Sequence, residues 1–441
     1  MINTIFSIIR FIFLWPKKKK LNKNAEFLSK KDIKQFLNSK NSWLLIDGKS
    51  WRLSEKNSFE HLALISRTWW WKTTSFIIPN ILTLDNCSMV ITDPSWEIAK
   101  KTIKSLVKKG FNILIINPLN PKTETYNPLI RSNSDEELKE ISKILINSNI
   151  ANETDSFWNN GAEKIITIIL KCLKNKEKQD KVIATLKDLQ KYLNYFLSKE
   201  FDKFIIDYWD DELIDEYKWL LLGNEKTTQS FLSTAQISID SLSNPNISNL
   251  LNSNSINFND LRDKKTVLFI QVPEQKIPYY AFILNLIYAQ LFNFSMEKLE
   301  VKQPIYFLLD EFGHLKIPYF SSIITTIRKY KVSVSIILQS ISQLETKYWR
   351  TEAETILNGW VGSKIFYSWT DPKTSKMLED IIWKTKIKQD ESNNIREENL
   401  LNASNIRTLE DNQWIYIYSN KKPILLEITP FYKNRKFKNI H

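Results

Sequence analysis

Apolar residues fall along this chain in two rhythms. Short, nearly unbroken apolar runs recur at 61–66 (HLALIS), 88–92 (SMVIT), 111–117 (FNILIIN), 266–272 (TVLFIQV), 305–309 (IYFLL), 332–338 (VSVSIIL) and 364–368 (KIFYS). Rich in β-branched and aromatic residues and too short for helices, they predict strands. Helical spacing lies between them, from Lys72 to about Leu84, with Pro79 as an irregularity, and from Glu97 to Lys109. Strand and helix in alternation predict a parallel sheet with crossover helices. From about 131 to 262 the rhythm becomes long and amphipathic, as in SDEELKEISKIL and AEKIITIILKCLK, with almost no strand signal. A last pair, IYIYS and PILLEI, flanks Asn420, Lys421 and Lys422 as a hairpin. The predicted fold class is therefore α/β: a mostly parallel sheet from 40–130 and 263–430, with an all-α insertion at 131–262. A short apolar and basic segment (1–24) and a basic tail (431–441) complete the chain.

Composition narrows the function. With 441 residues, 43% of them hydrophobic, the chain can bury a full α/β core and a smaller second domain. Cys87 and Cys172 lie far apart without a CxxC partner, which supports neither a disulfide framework nor a thiolate metal site and implies a reduced, cytosolic setting. His61, His314 and His441 lack HExxH-type spacing, which disfavours a zinc enzyme. The net charge of +13 suggests nucleic acid, yet nine of those charges sit in the acid-free stretches 17–24 and 431–441. An AT-rich coding bias toward Asn, Ile and Lys explains part of the remainder.

The N-terminus reads MINTIFSIIRFIFLWP and then KKKK. Its apolar stretch contains Arg10 and falls short of the roughly 20 residues of a spanning helix, and no small-residue cleavage site ends it. The expectation is a short anchor held at the cytoplasmic membrane surface by the lysines, the remnant of a longer anchor, or a packed or disordered tail.

Glycine is scarce and tryptophan abundant: 7 Gly against 15 Trp, where about 7% Gly, or roughly 30 residues, is usual. Several Trp stand where turn chemistry expects Gly. Trp69, Trp70 and Trp71 directly precede Lys72-Thr73-Thr74; Trp96 follows Asp93-Pro94-Ser95; Trp369 precedes Thr370-Asp371-Pro372; Trp383 precedes Lys384-Thr385; and Trp414 stands just before IYIYS. A single cause covers both anomalies, since some bacterial lineages read UGA as Gly where a common alternative translation table writes Trp. Many of these Trp are then expected to be glycines in the organism, whereas Trp158, in SFWNNGAEKII, reads as a true Trp.

Two motifs carry chemistry. Ser66-Arg67-Thr68-Trp69-Trp70-Trp71-Lys72-Thr73 has the length of the phosphate loop G-x-x-x-x-G-K-[ST], with Ser66 and Trp71 at the two glycine places. As printed it fails, because bulky side chains obstruct a turn whose backbone N–H groups must converge on phosphate. With Gly at 69 to 71 it becomes SRTGGGKTT, followed by a helix. Lys72 would reach the β and γ phosphates of ATP and the Thr73 hydroxyl would ligate Mg²⁺. The second motif, IYFLLDEFG, is an apolar strand ending in two acids, where Asp310 would hold Mg²⁺ through water and Glu311 would act as general base on the attacking water. The separation of these motifs exceeds a minimal nucleotide-binding core and requires the helical insertion.

Together these pieces resemble TraG/TraD-type coupling proteins of conjugative type IV secretion systems, over about residues 40–430. The matching stretches are SRTWWWKTTSFIIPNIL, VITDPSWEIAK (the family's D-x-x-G-E with Trp96 for Gly), NPLNPKTETYNPL, SFWNNGAEKII, LLDEFGHLKIPYF and IRKYKVSVSIILQSISQL. The resemblance implies a RecA-like P-loop NTPase core in a membrane-docked homo-hexamer. It implies a motor that recruits a relaxase-bound DNA single strand, or a secreted protein, and passes it to inner-membrane components of the secretion system. It also implies that Gln339 senses the γ-phosphate and that Arg328 acts across a subunit boundary; otherwise Arg328 is a solvated charge and Gln339 a strand cap. Two rivals stay open. A HerA/FtsK-class translocase commonly ends in a DNA-reading module, and none is visible after 430. A degenerate, non-hydrolysing adaptor gains ground if Trp69 to Trp71 are real.

Overall fold

The apolar runs become strands because both faces of a parallel sheet are covered, so that no alternation with polar residues is needed. The computed structural model describes residues 26–38, 40, 43–67, 69–149, 156–368, 370–382, 384–388 and 395–437. Within them the strands are β1 (Leu62–Ile65), β2 (Ser88–Thr92), β3 (Asn112–Ile116), β4 (Thr266–Ile270), β5 (Ile305–Leu309), β6 (Val332–Leu338), β7 (Ser363–Tyr367), β8 (Lys384–Lys388), β9 (Ile395–Asn399), β10 (Gln413–Tyr418) and β11 (Ile424–Glu427). Nine of them form one sheet in the order β11-β10-β7-β1-β6-β5-β2-β4-β3, and β8 pairs with β9 as a separate hairpin that the hydrophobic pattern does not announce. Strands β1 to β7 run parallel, and β10 and β11 add an antiparallel edge. Every residue of β1, β2, β4, β5, β6 and β7 is buried, whereas β11, at the rim, alternates buried and exposed.

Successive residues of these strands feed two apolar layers. Ala63, Ile65, Val90 and Phe307 face one side; Leu62, Leu64, Met89 and Leu308 face the other. The helix Ile277–Ser295 packs on the first side and is apolar nearly all round, because helices of the 131–262 region cover its outer surface. Between Asp135 and Asp263 the described residues contain helices and no strand. Their apolar interior, including Ile144, Ile166 and Phe231, is continuous with the sheet's first layer. Trp158 packs on Phe157 and Phe231 with ring centroids 5.1 and 5.6 Å away.

The helix expected from Lys72 to Leu84 has three parts: a turn at Trp69–Lys72, a π-helical stretch at Thr73–Ile77 and a helix at Ile78–Thr83. Pro79 explains the middle part, since its ring cannot sit against the carbonyl four residues back and its nitrogen has no proton to give. Residues 1–25 lie outside those described, so the N-terminal anchor expectation does too. Among the described residues no helix is long and apolar enough to cross a membrane.

Candidate functional site

Parallel strands deliver their carboxyl ends to one edge of the sheet, where loops and helix starts leave room for polar groups. Lys72 ends the turn that follows β1, and its side chain is fully buried. Its Nζ donates to Glu311 Oε1 at 3.1 Å, an ion pair in which both partners are at most 1% exposed. Glu311 leaves β5 in a left-handed conformation, φ 54° and ψ 38°, which turns the chain sharply at the strand tip. Gln339, at the end of β6, donates from Nε2 to Glu311 Oε2 at 2.9 Å. The two carboxylate oxygens are thus divided between a lysine from one loop and an amide from another.

Strand β6 lies between β1 and β5, and the contact still forms because both side chains reach across its end. Asp310 is buried beside the pair, and its carboxyl is pushed up to about 7, first by burial and then by the charges of Glu311 and Asp93, against the pull of Lys72 and a hydrogen bond from the Glu311 backbone N–H. Thr73 and Thr74 are buried on the first turn after Lys72, Ser66 is buried at the end of β1, and Arg67 is exposed. Thr68 lies outside the described residues. So do the side chains of Trp69 and Trp70, while Trp71 is half-buried and its carbonyl accepts from the Tyr367 hydroxyl at 3.3 Å. Arg328 stands elsewhere: it is exposed, in the turn Ile327–Tyr330 before β6, at the amino edge of the sheet. In this chain it does not meet the other candidates.

Three residues that the motifs gave no role belong to the same edge. Asp93, at the end of β2, is buried and accepts from the backbone of Ile98 and Ala99 at 3.2 and 2.9 Å and from Gln271 Nε2 at 3.1 Å. Burial raises its carboxyl above the ordinary range, opposed by those bonds. Gln271 follows β4. Gln343 accepts the Gln339 backbone N–H at 3.1 Å and faces Gly313, where a Cβ would stand 2.8 Å from its side chain. Asp93 was legible as the acid of D-x-x-G-E at a strand tip, followed by Pro94, Ser95, Trp96 and Glu97; Gln271 and Gln343 carry no such signal.

The tryptophans divide by backbone. Trp96 adopts φ 63°, ψ 1° at the start of the helix Glu97–Lys108, and Trp349 adopts φ 55°, ψ 154° inside the helix Ile341–Glu354. The second conformation is essentially restricted to glycine, and the first favours it. Trp414 is different and corrects the expectation at that position. It lies within β10 and not before it, in extended backbone, and its buried ring meets Tyr367 edge to face with centroids 4.7 Å apart. Its Nε1 is buried without a partner. Trp369 and Trp383 lie outside the described residues.

Residues 14–440 match the family described as Type IV secretory system Conjugative DNA transfer. The chain is 23% identical over 408 residues to Protein VirD4 of Rhizobium radiobacter, covering 86% of this chain and 58% of VirD4. It therefore spans a little under three-fifths of that relative's length. Among solved structures it is similar to plasmid coupling protein TrwB in complex with the GTP analogue GDPNP, with TM-score 0.75 and 17% identity over 92% of this chain and 94% of that one. TrwB in complex with ADP and Mg²⁺ gives TM-score 0.74 and 18% identity over the same shares.

Proposed function

Because the chain belongs to the type IV secretory system conjugative DNA transfer family, we propose that it is a coupling ATPase that drives a relaxase-bound DNA single strand toward the secretion channel. The carrying observation is the convergence of buried Lys72 and Glu311 with half-buried Gln339 at one sheet edge, with buried Asp310 beside them. Solvated strand ends do not bury a lysine, a glutamate and an aspartate together unless charge is to be handled there.

In this reading Lys72 exchanges Glu311 for the β and γ phosphates of ATP, which frees a Glu311 oxygen to take the proton of the attacking water. Gln339, fixed through its backbone by Gln343, orients that water and reports the γ-phosphate. The donor set suits Mg²⁺: the Thr73 hydroxyl and, through water, Asp310 would hold it, in a cluster of buried acids that a divalent cation relieves. The bound ion would neutralise phosphate charge. Arg328, exposed on the opposite edge, completes a neighbouring subunit's site in a homo-hexamer, since it cannot serve its own. The helical region receives the strand or the attached protein, and docking at the cytoplasmic face of the membrane involves the system's inner-membrane components.

Activity requires a phosphate loop that three indoles would obstruct, and we infer glycine at 69, 70 and 71 in the organism's protein. The left-handed Trp96 and the glycine-like Trp349 support the same decoding. Protein made with Gly at 69 to 71 should bind and hydrolyse ATP with Mg²⁺, and the Trp form should fail at nucleotide binding itself. Equal turnover by the two forms would remove both the decoding and the role of Lys72, and Trp found at 69 to 71 in peptides of the native protein would remove the decoding alone.

A further inference from the structure

A cleft of about 970 Å³ opens between the helical region and the segment that leaves the candidate general base. One wall is the helix Asp135–Asn149, the other is formed by residues 314–319 and the helix Ile341–Glu354, and the first turns of Ile277–Ser295 make the floor. Among the described residues, Lys143, Lys316 and Lys347 line it, against two acids, Glu140 and Glu352. Both acids already accept hydrogen bonds, Glu140 from Asn293 at 3.0 Å and Glu352 from Ser321 at 2.9 Å. Those bonds leave the carboxylate charges in place, and the described lining favours an anion by the one lysine in excess.

Amides supply the rest. Asn285 is 4% exposed and lines the cleft; its Nδ2 donates to Ser148 Oγ at 3.0 Å, while its buried Oδ1 has no partner. That acceptor suits an N–H donor such as the N3–H of an unpaired thymine. Tyr319 stands at the rim, exposed and in left-handed backbone, with Lys143 Nζ on its hydroxyl at 3.1 Å and 5.2 Å from its ring centroid. An exposed aromatic beside lysines is the recognised means of holding an unpaired strand, to which Asn285 adds one acceptor.

We propose that this cleft seats single-stranded DNA and that the segment from Glu311 to Tyr319 transmits its occupancy to ATP hydrolysis. The assignment rests on the motor reading above and locates the strand within it. Only a short turn separates Glu311 from His314, which lines the cleft and places Nε2 3.9 Å from Glu311 Oε2. A strand that moves this segment therefore moves the base.

The test uses the full chain with Gly at 69 to 71 and a fluorescein-labelled oligothymidine, read by anisotropy across a salt series. Exchanging Lys316→Glu and Lys347→Glu together should weaken binding about tenfold or more and lower the salt slope by about 1.4, while nucleotide affinity is kept. Lys316 is exposed and Lys347 half-buried, and photocrosslinking of 5-iodouracil in the protein with both lysines intact should map to Tyr319. Unchanged affinity in the double variant, crosslinks confined to other segments, or preference of the cleft for a peptide would overturn the assignment and leave the motor reading standing. Failure of the chain with both lysines intact to bind the oligonucleotide would remove both.

Discussion

The two edges of the central sheet use polar residues in opposite ways. At the carboxyl edge, besides bonds to backbone at Asp93, Asp310 and Gln343, side chains pair with side chains: Lys72 with Glu311, Gln339 with Glu311, Gln271 with Asp93. At the amino edge, side chains satisfy backbone. The Arg262 guanidinium donates to the carbonyls of Gln303, Ser295 and Tyr330 at 2.8, 2.8 and 2.9 Å, and His61 Nδ1 accepts the Val334 N–H at 3.2 Å. Burial, helped by the Arg328 charge, pushes His61 down to about 4, so it is neutral at ordinary pH. Bonds to backbone close an architecture. Ionic pairs among side chains can be exchanged for a ligand, and that difference marks one edge as reactive and the other as scaffold.

The sharpest way to break this contrast is Glu311→Gln. Hydrolysis by the protein with Gly at 69 to 71 should fall by about 10²–10⁴-fold, the usual worth of a positioned general base. ATP binding should persist or tighten, because Lys72 loses its buried competitor; single-turnover assays and equilibrium binding separate the two effects. A Glu311→Gln protein that still turns over at the parent rate would end the assignment.

At the scaffold edge the expected loss is in stability and not in chemistry. Arg262→Ala leaves three carbonyls without their donor and should destabilise the protein by about 3 kcal/mol in urea unfolding. The folded fraction should keep the parent turnover. A drop in specific activity would show that the edges are coupled.

Asp310 gives a pH signature confined to the reactive edge. Its folded-state value of about 7 lies above the ordinary 3.8, so the fold holds this proton more tightly than the unfolded chain does. The stability this contributes is full below about pH 4 and is lost as pH climbs through neutrality. Asp310→Asn should therefore melt increasingly above the parent protein as pH rises from about 5 to about 8. A constant gap would mean that the carboxyl is not perturbed.

The smallest effect expected is at Trp96, where glycine relieves a left-handed backbone. Trp96→Gly should stabilise by about 1 kcal/mol. Trp414→Gly should do the reverse, by about 3–5 kcal/mol, because it empties a packed site in the core.

Much of this was legible in the residues alone. The parallel strands announce themselves because each is a local apolar run, and the β10 and β11 hairpin because its turn is local as well. The phosphate loop and the acids after β5 are legible as spacing, once the missing glycines are weighed against the surplus tryptophans. The β8 and β9 hairpin was not foreseen, since KTKIK and IREEN carry no apolar face to signal it.

What sequence by itself determined is therefore whatever depends on neighbours within a turn or a strand: element type, the two motifs, and the family resemblance they carry. Tertiary structure decided the rest. The insertion of β6 between β1 and β5, the sharing of Glu311 between Lys72 and Gln339, and the removal of Arg328 to the far edge depend on strand order, which joins residues 239 positions apart. No local pattern encodes that order. It follows from how crossovers and the two apolar layers close around one another, and a polar group acquires its partner only when they do.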